Sequence, residues 1–283
     1  MRRPLEVAQE RDAMGVIVNL TEAFEGLASM RISQIKNQVL ESQRFFEALW
    51  GIYNQLRIDP IFRFGRTAEE AEEAKELLIG ITAEGGFSGD IDQQLISFML
   101  KGYDPEKQDI IIIGHHGAVQ LAQAGVGFKK YFKLPSKEQN INVAPLVEQI
   151  RRYRSASVYY QTYVSLMVQD VKRIELSKAV QEAGRKSAKS EEVISEDTYI
   201  FEPSSYDVIA HLERSMLYIT MSQLILDSKL AQYASRFRAM NVANERADSS
   251  FKELRLLYNR SRRSEADERL KEILNGQKKA RSV

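Results

Sequence analysis

From Ser205 to Asn275 the sequence contains neither proline nor glycine. Apolar and aromatic residues recur there at Leu212, Met216, Ile219, Leu226, Leu230, Tyr233, Phe237, Met240, Ala247, Phe251, Leu254 and Tyr258. Gln223 and Asn244 fill the remaining places of an unbroken alternation of four- and three-residue steps. That alternation is the stripe of a coiled-coil helix. The two polar stripe positions are of the kind that fix register, and Gly276 supplies a stop. Drawn straight, such a helix is about 105 Å long, more than an isolated globular domain needs. A lone helix of that length gets most of its stability from packing, so the pattern calls for a partner strand or a sleeve.

The other end of the chain has the same character. Residues from about Leu5 to about Leu56 read as one helix, with no proline after Pro4 and with Gly15 and Gly26 inside it. Ile17, Leu20, Phe24 and Leu27 step by three and four. After a one-residue slip of phase, Ile35, Val39, Phe46, Leu49 and Tyr53 continue the stripe, with Ser42 filling one step. At about 1.5 Å per residue this helix spans on the order of 80 Å. The simplest packing lays the two terminal helices antiparallel, with part of the longer one projecting or held by a partner.

Between them the pattern changes. After a polar turn around Asp59–Pro60, Leu77–Thr82 reads as a buried strand and Asp90–Leu100 has helical spacing. Ile110–Ile113 is a second strand, His116–Ala124 is helix-like, Phe128–Phe132 is a third strand and Ala144–Arg154 another helix. Alternation of this kind specifies a parallel α/β sheet. Val158–Met167 and Val171–Leu176 read as a hairpin or meander. Lys178–Asp197, rich in Lys, Ser and Glu, reads as an exposed loop. The expected fold class is therefore α/β: a long antiparallel coiled coil from the N- and C-terminal helices with an inserted Rossmann-like α/β domain. Its divisions are residues 1–57, 58–204 and 205–283.

Composition narrows the function. The chain has 283 residues with a formal net charge of +1, so no overall field points to nucleic acid or an anionic membrane. It has no cysteine, which excludes a disulfide framework, a thiol nucleophile, cysteine-ligated zinc and a thiol switch. No apolar run approaches the roughly 18–20 residues that span a bilayer. Arg2 and Arg3 have no apolar stretch behind them, so the start is not read as a secretory signal, and Glu6, Glu10 and Asp12 come early for a mitochondrial presequence. A bacterial, cytoplasmic protein is the expectation.

Chemistry-bearing motifs are sparse. The loop Gly85–Asp90 (GGFSGD) stands between a strand and a helix, where phosphates bind. It lacks GxGxxG spacing and a P-loop lysine, and tight turning by glycine accounts for it. His115 and His116 are adjacent, so their side chains diverge, and His211 is distant; no metal site is expected. Glu84, Asp90, Asp92 and Asp104 have no nucleophile–base–orienter trio beside them and read as scattered solvated carboxylates. No catalytic residue and no cofactor is expected. The basic run Arg255, Arg260, Arg262, Arg263 belongs to a segment, Ser205–Val283, with 15 Lys and Arg against 10 Asp and Glu. It is either a solvated face or a cationic shaft passing acidic neighbours.

Several separated stretches resemble, in order, the gamma subunit of F-type ATP synthases. In the first helix Leu20–Gln34 (LTEAFEGLASMRISQ) is similar to the family's start, with Thr21, Ala23, Ala28 and Arg31 matching in kind. Ile81–Leu95 (ITAEGGFSGDIDQQL) resembles its strand, Gly-x-x-Gly and helix, with Gly86 and Gly89 on the glycines. Tyr199–Ser204 resembles the approach to the last helix. Ser235–Met240 (SRFRAM), Glu253–Arg262 (ELRLLYNRSR) and Glu272–Gly276 (EILNG) resemble the C-terminal signature. The chain departs from the family at Glu22 and Glu25, where lysines are usual, and at Arg263, Ala266–Asp267 and Gln277.

The resemblance implies a non-catalytic central-stalk rotor subunit, a peripheral protein on the cytoplasmic face of a bacterial inner membrane. Its implied partners are the alpha and beta subunits of the catalytic ring, an epsilon-type subunit and the membrane c-ring, with no nucleic acid and no direct membrane insertion. Arg236, Met240, Tyr258, Arg260, Arg262 and Arg263 are the expected ring-facing positions. A specialised rotary ATPase that hydrolyses ATP or couples to sodium, a coiled-coil scaffold with an α/β binding module, and a Rossmann-like enzyme stay open beside it.

Overall fold

A computed structural model describes residues 3–55, 73–134, 141–180, 202 and 204–281. The turn at Asp59–Pro60, residues 181–197 of the expected loop, and Tyr199–Phe201 with Pro203 lie outside them. The elements in chain order are α1 (Pro4–Gln55), β1 (Glu73–Ile81), α2 (Ile91–Leu100), β2 (Gln108–Ile113), α3 (His115–Gln123), β3 (Lys130–Phe132), α4 (Ala144–Ile150), β4 (Tyr153–Tyr163), β5 (Gln169–Glu175) and α5 (Ser205–Arg281). The chain forms two compact units. One is Ala28–Arg236; the other is Met1–Leu27 with Phe237–Val283. Both α1 and α5 contribute residues to each.

The larger unit is built on one five-stranded sheet in the order β3-β2-β1-β4-β5. The first four strands are parallel and β5 closes the edge antiparallel to β4. Continuous apolar runs such as LLIGI and IIII are what a strand covered on both faces requires. Leu77, Ile79, Ile81, Ile111, Ile113 and Val158 share a cluster with residues of α4, of α1 from Phe46 to Tyr53 and of α5 from Leu212 to Ile225. Leu78, Ile110, Ile112 and Tyr159 face α2 and α3. The α1 contribution is a run of aromatic contacts, Phe46 on Trp50 and Trp50 on Tyr53, with centroids 6.1 and 5.5 Å apart. The Tyr53 hydroxyl donates to Glu213 across the helix pair at 3.1 Å.

Three boundaries differ from expectation. The helix expected over Ala144–Arg154 stops at Ile150, because the alternation that buries Tyr153, Ala156 and Val158 already belongs to β4. That strand ends at Tyr163; Val164, Leu166, Met167 and Val168 form an exposed turn. Residues 178–180, expected in the loop, continue a helical turn whose Leu176 and Val180 enter the core.

In the smaller unit, segments of α1 and α5 pack antiparallel. The Arg11 guanidinium lies 4.6 Å from the Tyr258 ring centroid. A Cβ on Gly15 would stand 3.2 Å from the Phe251 ring, and Asn241 reaches Glu25 at 3.5 Å. The seam of α5 is the expected one, with Met240 and Ala247 buried here and Leu212, Met216, Leu226 and Leu230 buried in the larger unit. The seam of α1 is different. Its buried positions Val7, Thr21, Ala28, Ile35 and Phe46 keep one repeat without a slip, while Ile17, Leu20 and Leu27 are 44%, 51% and 51% exposed. Close helix approach selects the small residues for the inside, so the larger side chains form a separate outward ridge.

Candidate functional site

Strands β2 and β3 extend the sheet to one side of β1, and β4 adds on the other. The carboxyl ends of β1 and β4 therefore flank a topological switch point, the crevice where open α/β sheets take ligands. In this chain the crevice is filled by α5. Gln161, at the end of β4, donates to Asp92 Oδ1 at 2.8 Å. Its side-chain oxygen accepts from Ser228 Oγ and, at 3.2 Å, from Gln232 Nε2. Gln232 also donates to Ser228 at 3.1 Å. Ser235 Oγ donates to the Ser88 carbonyl at 2.7 Å. Arg236 donates to the carbonyls of Gly86 and Gly85 at 3.1 and 3.2 Å and lies over the Tyr233 ring.

The GGFSGD loop is shaped by this docking. Gly89, at φ +68°, brings the turn against Ser235; a Cβ there would stand 3.5 Å from the hydroxyl. Its carbonyls point at α5 side chains. The loop thus acts as a helix seat, in keeping with the glycine-turn reading.

The expected solvated carboxylates divide. Asp92 is a correction: it is 2% exposed, accepting from the Ala83 amide at 3.1 Å and contacting His116 Nδ1 at 3.1 Å. Burial raises its pKa, against the lowering effect of these hydrogen bonds and of the Arg236 charge. Burial in turn pulls the Arg236 pKa down, opposed by Tyr233 and Asp92. Glu84 ties three loops together, accepting from the His115 and Leu134 amides and from the Tyr131 hydroxyl. Asp90 accepts from Gln94, and Asp104 from the Glu106 amide. Among the described residues no group of three His, Asp or Glu side chains is placed to hold a metal. The cluster secures a helix to a sheet.

The residues singled out on α5 separate in the same way. Arg236 is engaged by the Gly85–Gly86 turn. Met240 is 7% exposed, inside the seam, and Tyr258 is half-buried beneath Arg11. Arg260, Arg262 and Arg263 are exposed. The sequence reading omits the exposed apolar residues interleaved with them: Leu256, Leu257, Leu270, Ile273 and Leu274. They fall in two groups, Leu256 and Leu257 before the arginines and Leu270, Ile273 and Leu274 after them, with Leu256 and Leu270 fourteen residues apart and so on one face. The same segment therefore offers cations and apolar side chains together.

A family model described as ATP synthase matches residues 6–279. The ATP synthase gamma chain of Cytophaga hutchinsonii is 22% identical, over 91% of this chain and 92% of that one. The gamma chain of Mycoplasmoides gallisepticum is 21% identical over 96% and 97%. Among solved structures, the rotor of the Euglena gracilis mitochondrial ATP synthase superposes with a TM-score of 0.60 at 13% identity, covering 92% of this chain and 98% of that one. The central stalk of the Tetrahymena thermophila enzyme gives 0.57 at 17%, covering 79% and 99%.

Proposed function

The chain belongs to the ATP synthase family, and from that premise we propose that it is the central-stalk gamma subunit, turning inside a ring of alternating alpha and beta subunits. It does no bond chemistry. The observation that carries the reading is the antiparallel pairing of α1 with α5, Arg11 with Tyr258 and Gly15 with Phe251, together with an α/β unit whose ligand crevice is filled from within.

The physical task is to present different side chains to otherwise equivalent beta subunits at each angle. A subunit's conformational equilibrium shifts only by the difference in contact free energy between its states. An uneven surface supplies that difference. Arg260, Arg262 and Arg263, with Leu256, Leu257, Leu270 and Ile273, are the side chains offered on α5. Exposed charges are screened and individually weak, worth at most about 1 kcal/mol each, which suits a surface that has to release every contact it makes. The α/β unit is the docking element for an epsilon-type subunit and the membrane c-ring. No described helix is long and apolar enough to cross a membrane. The protein acts as a peripheral subunit at the cytoplasmic face of a bacterial inner membrane.

The test is purification of the tagged native chain followed by mass spectrometry of the intact assembly. Alpha and beta subunits with a single copy of this chain are expected. A homo-oligomer free of both would overturn the reading in favour of a scaffold.

A further inference from the structure

The crevice contacts divide into two kinds with different physics. In the turns of α5 just before that polar stretch, Met216, Leu217, Met221, Leu224 and Ile225 hold the helix to the core by apolar burial. That force follows area and has no direction, so it tolerates small rotations and slides. Ser228, Gln232 and Ser235 lie four and three residues apart on one helix face and meet the sheet through directed hydrogen bonds. A shift of the helix by one residue turns that face by about 100°. Such a shift takes the helix donors away from the Gln161 side-chain oxygen and the Ser88 carbonyl and leaves both acceptors buried and unpaired.

We infer that Gln161, Ser228, Gln232, Ser235 and Arg236 form a key that fixes the angle of α5 on the α/β unit and so carries torque between them. The inference rests on the rotor reading. Asp92 and the Gly85–Ser88 carbonyls are the fixed side of the lock, and the helix side chains are the bit. Apolar packing supplies adhesion; the polar face supplies the angle. These are positioning residues, acting through the helix and touching no nucleotide.

The experiment uses membrane vesicles carrying the complete complex that contains this chain, with ATP hydrolysis and ATP-driven ion pumping measured on the same preparation. One variant, Gln161→Leu with Ser228→Ala and Gln232→Leu, replaces directed bonds by apolar contact at similar volume. A second, Ser235→Ala with Arg236→Met, removes the bonds to the Gly85–Ser88 carbonyls and leaves the apolar residues of the core unchanged. In both, hydrolysis is expected to persist while ions pumped per ATP fall about fivefold, the consequence of losing ~1 kcal/mol of angular preference. A loss of melting temperature with an unchanged pumping ratio would assign the residues to stability alone and overturn the proposal. An unchanged ratio in the second variant overturns it even where the first does not assemble. Failure of the wild-type chain to co-purify with the vesicle complex would sink the rotor reading itself, a result separate from either variant's.

Discussion

Gly114 stands between β2 and α3 at φ +97°, and a Cβ there would lie 2.1 Å from the Thr82 carbonyl oxygen. Neither the backbone angle nor the space accepts a side chain. Gly114→Ala is expected to lower unfolding free energy by about 2–4 kcal/mol, measured by urea denaturation. Asp227 shows the opposite case, a native residue that costs stability. Burial lifts its carboxyl from an ordinary 3.8 to about 6. Between those values the folded chain keeps a proton that the unfolded chain has released, so stability falls as pH rises through that window and stays lower above it. Asp227→Asn is expected to stabilise the chain at pH 7 by up to about 3 kcal/mol, with the advantage gone below about pH 4; urea unfolding at both pH values checks it. Single residues are also where sequence reading reaches least far. The carboxylate at 92 is visible as a carboxylate, but its burial depends on Gln161, 69 positions away. Gln161 itself carries no local signal, since its α5 partners lie 67 and 71 positions on.

Elements were more legible than residues because period is a local property. Strands of unbroken Ile and Leu, and the four-three stripe of α5, each announce one structure. The α1 seam was not legible in the same way, since apolarity alone does not say which of two ridges turns inward. Thr21 and Ala28 do, by being small enough for close approach. The contrast gives a prediction at this scale. Ala28→Leu, at a buried seam position, is expected to cost about 1–3 kcal/mol by overpacking. Ile17→Ala and Leu20→Ala, on the exposed ridge, are expected to stay within about 0.5 kcal/mol in the isolated chain. Thermal unfolding of the three variants ranks them, and equal losses would restore the slipped seam. The exposed Leu256, Leu257, Leu270 and Ile273 are hard to read for a related reason: two short groups thirteen residues apart do not make a periodic pattern beside the unbroken seam.

For the whole molecule, the α/β class and the terminal helix pair were readable from the order of patterns, and the filling of the crevice was not, because it joins residues from opposite ends of the α/β unit. That filling makes a direct prediction. Calorimetry of the isolated chain with ATP or NAD is expected to give no saturable heat, since the place where such a sheet takes a ligand already holds Ser228, Gln232 and Ser235; micromolar binding would reopen the enzyme alternative. The antiparallel pairing also has a consequence for biosynthesis. Arg11 waits for Tyr258 and Gly15 for Phe251, so this part of α1 is synthesised well over two hundred residues ahead of the part of α5 that covers it. Until then its inner face is open to holdase chaperones. A chain cut short anywhere in the α/β region would keep that face uncovered, since every residue that covers it lies further along.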